Sequence, residues 1–283
     1  MALLHLKKWN LAIGDGQPLV CIAGLNVLED LDLALETARR LKAETAALGL
    51  PLIFKASFDK ANRSSMQSYR GPGLERGLAM LTEVKAQLDV PIATDIHEIA
   101  QAEPVAEVAD VVQIPAFLCR QTDLVVAAAR AVQRQGGWLH VKKGQFLSPL
   151  DGRNIIDKIK EAVESDLTIL CERGVSFGYN NLVVDMLGIP VMKELGVPVT
   201  IDATHAVQLP GANPLTNGAS AGGRREGVPV IAMAAVAAGA DGVFLEFHPD
   251  PDRALCDGPS CLPLDAAGPL LAKLKAIHAA VNS

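Results

Sequence analysis

One pattern narrows the choice of fold more than any other feature of this sequence. Short apolar runs alternate with segments of helical spacing along nearly the whole chain. The runs are Leu19–Ala23, Pro51–Phe54, Pro91–Thr94, Val111–Ile114, Trp138–Val141, Leu167–Leu170, Val197–Ile201 and Gly242–Leu245. The segments between them carry apolar residues on one helical face: Leu31, Leu35, Ala38, Leu41 and Leu48 in the first, Leu74, Leu78, Leu81 and Leu88 in the next. Ile155, Ile159 and Val163 repeat the spacing, as do Leu270, Leu274, Ile277 and Val281 near the end. The runs show no polar alternation, which predicts parallel strands buried on both faces. This is an α/β pattern, and 283 residues suit a (β/α)8 barrel, for which ~250 is typical. A doubly wound open sheet is the main rival. Ahead of the repeat, Leu6 to Ile13, the turn-forming Gly14-Asp15-Gly16-Gln17 and Pro18 to Ile22 read as a β-hairpin within residues 5–22. No linker or low-complexity tract interrupts the chain, so residues 1–283 are expected to form a single domain with an N-terminal hairpin.

Composition excludes several function classes. A hydrophobic content of 49% with 20% charged residues supports a sizeable core. The net charge of −6 and the 4% of aromatics argue against a nucleic-acid surface. MALLHLKKWN lacks the basic and apolar regions of a signal peptide. The longest apolar stretch, Val228 to Ala240, contains Pro229 and Gly239 and is too short for a bilayer, so it reads as a buried helix and no membrane association is expected. The five cysteines, Cys21, Cys119, Cys171, Cys256 and Cys261, include no CxxC pair, which fits reduced thiols and a cytoplasmic location.

In a barrel of this kind the chemistry sits where the strands end. Here every predicted strand ends in a polar group. Asn26 follows the first, Lys55 closes the second, Asp95 and His97 the third, and Gln113 the fourth, with Arg120 beyond it. Lys142, Lys143 and Gln145 follow the fifth, Arg173 the sixth, Asp202 and His205 the seventh, and Glu246 and His248 the eighth, with Asp250 and Asp257 beyond. Loop polarity explains any one of these. All of them together are harder to explain, because charge abutting an apolar run is costly without a partner or ligand. The stretch KASFDKANRSS at 55–65 and its continuation to Arg70 add Lys60, Arg63 and Arg70 to Lys55 against the one acid Asp59. A solvated Ser-rich loop is the plain reading of that stretch. Lysine point charges with arginine forks suit phosphate and carboxylate, and Asn62, Ser64 and Ser65 supply neutral donors for sugar hydroxyls. Lys55, Lys60, Lys142 and Arg173 converge on one mouth in this arrangement, which predicts a pocket for a ligand with several negative charges.

Residues 205–227 are rich in Gly, Asn, Pro and Ser and read either as a mobile lid or as a plain connector. No GxGxxG, GxxxxGK[ST] or HExxH motif occurs. Glu246, His205 and Cys256-Asp257 have the composition of a metal set. The position that would complete it from the first strand holds Asn26, a poor transition-metal ligand.

The motifs FKASFDKANRSS at 54–65, YRGPGLE at 69–75, QIPAFLCRQTDL at 113–124, VKKGQF at 141–146, FGYNNLVVDM at 177–186, DATH at 202–205 and HPDPDRALCDGPS at 248–260 cover most of the chain. On them the sequence resembles the 3-deoxy-D-manno-octulosonate 8-phosphate synthases. The resemblance implies condensation of phosphoenolpyruvate with D-arabinose 5-phosphate and water, an early step toward Kdo and lipopolysaccharide, and a homotetramer. It implies that Lys55, Lys60, Gln113, Ala116, Lys142 and Arg173 hold phosphoenolpyruvate, and that Asn62, Arg63 and Ser64 hold the sugar phosphate. Asp95, Phe117 and Glu246 complete the substrate-facing candidates, and Arg63, Ser64 and Arg120 are expected to act partly across a subunit boundary. Asn26, His205, Glu246 and Asp257 match the positions around the reacting water or a metal. One branch of the family has cysteine at the first of these and needs a divalent metal; the other has asparagine and does not. Asn26 and CDGPS at 256–260 match the second, so no metal cofactor is expected, while VKKGQF and QLPG at 208–211 look more like the first. The connection 130–140 looks longer than is usual and belongs to the closed end of a barrel.

The catalytic candidates are Lys142 as general acid, His205 and Asp257 orienting water, and Asn26 standing in place of a metal. Three rivals stay open: a Schiff-base aldolase on Lys142, a non-catalytic sugar-phosphate sensor, and a sibling synthase that takes erythrose 4-phosphate.

Overall fold

The computed structural model describes residues 2–211 and 221–282. Eight parallel strands form its centre: β1 Val20–Val27, β2 Leu52–Ser57, β3 Ile92–Asp95, β4 Val111–Ile114, β5 Trp138–Lys142, β6 Thr168–Glu172, β7 Val199–Asp202 and β8 Gly242–His248. Each pairs with the next in sequence, and β8 pairs with both β7 and β1, so the sheet closes into a (β/α)8 barrel and the open-sheet alternative falls. Helices α1 Leu31–Leu48, α2 Leu74–Leu88, α3 Ala102–Val108, α4 Thr122–Gln135, α5 Gly152–Ala162, α6 Gly188–Lys193, α7 Val228–Ala237 and α8 Ala267–Val281 lie between and after the strands. Local chemistry sets their ends. The Asp30 carboxylate accepts from Leu33 N at 2.8 Å to start α1, and left-handed Gly49 and Gly136 stop α1 and α4. Gly136 is followed directly by Gly137 and β5, which puts the 130–140 connection at the amino end of the strands, as expected.

Strand periodicity explains the core. Cys21, Ala23, Leu25, Phe54, Ala56, Leu139, Val141, Val243 and Leu245 point outward into one apolar cluster shared with the helices. Their neighbours Val20, Ile22, Ile53, Ala93, Val111, Trp138, Ile169 and Phe244 point inward and form a second cluster. Both faces are therefore apolar, which is why the strands read as unbroken runs. The inner cluster also takes Leu4, Leu6, Leu11 and Ile13 from an N-terminal hairpin, which plugs the amino end of the barrel. Nearer the carboxyl end the inward positions turn polar: Asn26, Lys55, Asp95, Gln113, His140, Lys142, Asp202 and Glu246. These residues lie within the strands rather than after them. At Gly24 an added Cβ would meet Lys55 O at 2.0 Å, so β2 can run this close to β1 only because that position has no side chain.

The hairpin is present but not where the turn composition put it. Its strands are Leu3–Leu6 and Leu11–Gly14, and its turn is the Lys7–Trp9 helical turn closed by Asn10 at φ 48°. Gly14-Asp15-Gly16-Gln17 instead links the hairpin to β1; Gly14 at φ 129° and Gly16 at φ 74° supply the bend. The 228–240 stretch forms a helix as expected, but only partly buried: Val228, Ala232, Ala235 and Val236 face the core while Val230 is 61% exposed. None of the described helices is long and apolar enough to cross a membrane.

The hairpin plug is expected to contribute strongly to stability. Ile13 is fully buried, and Ile13→Ala should cost ~2–5 kcal/mol in a urea unfolding series. A loss below ~1 kcal/mol would mean that the plug is dispensable.

Candidate active site

The polar ends of the strands converge on one cavity of about 430 Å³ at the carboxyl end of the barrel. Five cationic side chains line it: Lys55, Lys60, Arg63, Lys142 and Arg173. Asn62 and Ser64 reach it from the loop after β2, Asp95 from β3, Gln113 from β4, and Ala116 and Phe117 from the short turn after β4. His205 and Asp257 close another side. Asn26 and Glu246 lie behind the wall, bonded to groups that line it. Arg120 is the exception. It is exposed ahead of α4 and does not line the cavity of its own chain.

The lysines are held by carboxylates from distant strands. Lys55 Nζ donates to Ser57 Oγ at 2.8 Å and Glu246 Oε1 at 3.3 Å, with Asp95 Oδ1 at 3.9 Å. Burial lowers its pKa to about 8, helped by Lys60 and Lys142 and opposed by Glu246 and Asp95. Lys60 goes the other way: burial disfavours its charge, but Glu246, Asp95, Cys256 and Asp257 more than offset that and raise it. Lys142 Nζ donates to Asp202 Oδ2 at 2.5 Å and sits 3.8 Å from the centre of the Phe244 ring. Asp202 Oδ2 also accepts from His205 Nδ1 at 2.8 Å, and its Oδ1 caps the single helical turn Ala203–Ala206 by accepting from His205 N at 2.9 Å. Burial would raise the Asp202 carboxyl, but His205, Lys142 and Arg173 hold it well below the usual range.

A second knot surrounds Glu246. Asn26 Nδ2 donates to Glu246 Oε2 at 2.5 Å and to Asp257 Oδ2 at 3.3 Å. His205 Nε2 lies 3.5 Å from Glu246 Oε2 and 3.9 Å from Asp257 Oδ2. The Asn26 amide thus directs its hydrogens at the same two carboxylates that His205 faces. The Asn26 group facing these carboxylates is an N–H₂, which donates hydrogen bonds and holds no cation, so as oriented the amide adds no ligand to Glu246, His205 and Asp257, and its Oδ1 is buried without a hydrogen-bond partner. Among the described residues no three His, Cys, Asp or Glu side chains converge in a metal-holding arrangement.

Glu172 fixes the backbone at Arg173. Glu172 Oε1 accepts from Arg173 N at 2.9 Å and Gly174 N at 2.7 Å, and lies 3.4 Å from Lys143 Nζ. Arg173 Nη2 donates to Gln208 at 3.3 Å, while its Nη1 and Arg63 Nε are buried without a protein partner. Buried donors of this kind are expected to meet a ligand. Arg63 Nη1 also contacts Cys256 Sγ and lies 3.7 Å from Asp257.

Sequence reasoning placed Asp202 and His97 at strand ends but assigned neither a direct part. Asp202 joins Lys142 to His205, and His97 Nε2 lies 3.1 Å from Asp95 Oδ2. Their signal was position alone, since the partners depend on how the barrel closes. In the 205–227 loop, Gln208–Leu209 pairs with Gly222–Gly223; the lid expectation for 212–220 lies outside the described residues.

The DAHP synthetase I family matches residues 4–282. The chain belongs to that family. Among its curated relatives is a protein of Citrifermentans bemidjiense, 54% identical over 270 residues that cover 95% of this chain and 96% of that one. One of Geobacter metallireducens is 54% identical over 96% of this chain and 97% of the other. One of Marinobacter nauticus is 51% identical over 100% and 98%. All three are named 2-dehydro-3-deoxyphosphooctonate aldolase.

The Glu246 environment makes a prediction about acid stability. Burial would raise this carboxyl, but His205, Lys55, Lys60 and Lys142 bring it down to about 2 from an ordinary 4.5. A depressed carboxyl stabilises the fold fully above its unfolded value and loses that contribution as pH falls toward the folded one. Unfolding free energy should therefore drop by roughly 3 kcal/mol between the two values on this account. Glu246→Gln should flatten that part of the curve, and an unchanged slope would show that Glu246 does not govern it.

Proposed function

We propose that this chain condenses phosphoenolpyruvate with D-arabinose 5-phosphate and water to give 3-deoxy-D-manno-octulosonate 8-phosphate and inorganic phosphate. The observation that carries the reading is the cavity in which Lys55, Lys60, Arg63, Lys142 and Arg173 face one space. Two phosphates and a carboxylate are what such a set can hold. The names of relatives more than half identical across nearly the whole chain favour this acceptor over erythrose 4-phosphate.

In the mechanism, Lys55, Lys60, Gln113, Lys142 and Arg173 hold phosphoenolpyruvate with Ala116, and Asn62, Arg63 and Ser64 bind the sugar phosphate alongside Asp95 and Phe117. The vinyl carbon of phosphoenolpyruvate attacks the aldehyde of the open-chain sugar. The neighbouring carbon becomes electron-poor and takes up water. The tetrahedral intermediate then breaks its carbon–oxygen bond and releases phosphate. Lys142 gives a proton to the aldehyde oxygen or to the departing phosphate, a role its place in the cavity wall supports, and Asp202 holds its side chain by the 2.5 Å bond. The fixed cations stabilise charge as it moves without having to reorganise. His205 and Asp257 orient the water, and Asn26 links Glu246 to Asp257 by hydrogen bonds where a related enzyme could use a metal. No step is routed through a metal.

A homotetramer in the cytoplasm completes the reading. Exposed apolar side chains support the assembly: Phe117 at the cavity and Phe146 and Phe177 elsewhere are each more than half exposed, and Tyr179 is 98% exposed. Arg120, exposed outside its own cavity, is free to serve a neighbouring subunit.

The defining experiment is phosphate release with arabinose 5-phosphate against erythrose 4-phosphate; a preference for the four-carbon sugar would reverse the assignment. Lys142→Ala is expected to cut turnover by at least ~10² while the fold survives. Near-normal turnover would remove Lys142 from the chemistry, and an adduct trapped by borohydride would turn the mechanism to a Schiff base. Dialysis against a strong chelator is expected to leave activity intact. Activity that returns only with added metal would refute the part given to Asn26.

A further inference from the structure

His140 has no part in the mechanism above, yet it sits directly beneath the cavity and touches a group that lines it. The side chain is 1% exposed inside the barrel. Nδ1 lies 3.2 Å from Gln113 Oε1, the register partner of His140 across β4 and β5, and Nε2 lies 2.8 Å from Thr200 Oγ1 on β7. The imidazole stacks on Phe244, with centroids 6.2 Å apart and planes at 10°, and the same phenyl ring carries the Lys142 ammonium. The ring is therefore pinned on three sides.

We propose that His140 is a positioning residue that holds the Gln113 amide with its NH₂ group directed at the cavity, where it donates to an anionic reactant. The argument is a count of donors. A neutral imidazole has one N–H and one acceptor nitrogen. Burial, with Lys142 and Lys55 nearby and only Asp202 opposing, brings the His140 pKa to about 3, so the ring carries one proton at neutral pH. The Thr200 hydroxyl has one hydrogen and two acceptors in range, Nε2 at 2.8 Å and Leu170 O at 3.4 Å; it gives the hydrogen to the nearer when Nε2 is bare and to Leu170 when Nε2 is protonated, so it tolerates either tautomer. Gln113 cannot be indifferent: its Oε1 needs a hydrogen from Nδ1. The proton therefore belongs on Nδ1, the Thr200 hydroxyl donates to Nε2, and the amide NH₂ of Gln113 is left for the cavity. The opposite tautomer would draw the NH₂ inward and turn a carbonyl oxygen toward bound anions, which repels them. One buried proton thus decides whether Gln113 attracts or repels the ligand.

This rests on the reading that Gln113 helps to hold phosphoenolpyruvate. Calorimetric titration with phosphoenolpyruvate tests it on wild-type protein, His140→Leu, His140→Asn, Gln113→Ala and the His140→Leu/Gln113→Ala double variant. His140→Leu keeps bulk but removes the donor, and should weaken binding ~10-fold, the scale of one lost hydrogen bond to a charged ligand's partner. The same change in the Gln113→Ala background should add nothing, because the effect travels through Gln113. Asn places an N–H near the position of Nδ1 and should recover most of the affinity. Equal losses in both backgrounds, or none, would overturn the proposal and leave His140 as packing. Wild-type protein that takes up no phosphoenolpyruvate would overturn the functional reading and this proposal with it. Histidine nitrogen NMR on wild-type protein gives a check that needs no folded variant: His140 must carry its proton on Nδ1, and a proton on Nε2 refutes the assignment.

Discussion

Buried lysines in this barrel depend on carboxylates that reach them from other strands. An ammonium removed from water costs several kcal/mol unless it is paired and hydrogen-bonded. Lys55 on β2 meets that cost with Glu246 on β8 and Asp95 on β3. Lys142 on β5 does so with Asp202 on β7, and Lys143 with Glu172 on β6. The Lys55–Glu246 contact requires that β8 lie beside β1, so it exists only if the sheet closes. The charged layer and the closed topology are thus conditions of each other. Removing one partner strands the other in a dry interior, a larger effect than any surface ion pair would show.

The layering of the interior follows from the same balance. Apolar side chains and the hairpin plug fill the amino end, so water reaches the charged layer only from the mouth. Phe244 marks the boundary: His140 stacks on it from within the barrel, and Lys142 and Lys55 lie 3.8 and 5.3 Å from its ring centre. An aromatic face is one of the few apolar surfaces that attracts a cation. It lets the lysines approach the core without adding further carboxylates, which would cancel the charge that the cavity offers a ligand.

Most of the fold was legible because barrel strands are buried on both sides. The apolar runs located all eight to within a few residues, and two ends were underestimated for a physical reason: the reading stopped before Lys55 and Glu246, which remain in the ladder because they point inward to partners, while Asn26 falls at a register shift between Gly24 and Val27. The hairpin turn was misplaced because Gly14-Asp15-Gly16-Gln17 has the stronger turn composition, while Lys7–Asn10 turns through one left-handed asparagine. For the site, most of the residues that line the cavity could be named from strand ends and motifs. Their mutual contacts could not. Nothing in the local sequence says that Asp202 serves both Lys142 and His205, or that His140 faces Gln113, because those pairs form only when strands distant in sequence come together. Arg120 is the converse case: near a strand end in sequence, it is carried outside the cavity by the turn at Ala116–Leu118.

The opposed shifts of Lys55 and Lys60 show what the lattice is built to do. Both lysines are buried and share Glu246 and Asp95 as counter-charges, yet the first is lowered to about 8 and the second raised. The difference is that Lys55 lies deeper and feels its neighbouring cations, while Lys60 also has Asp257 within reach. The carboxylates therefore leave the cavity short of full neutralisation at its floor. An anion near the cavity floor would favour the protonated form of Lys55. On the proposed reading, stability at rest and affinity for polyanionic reactants share one set of cations.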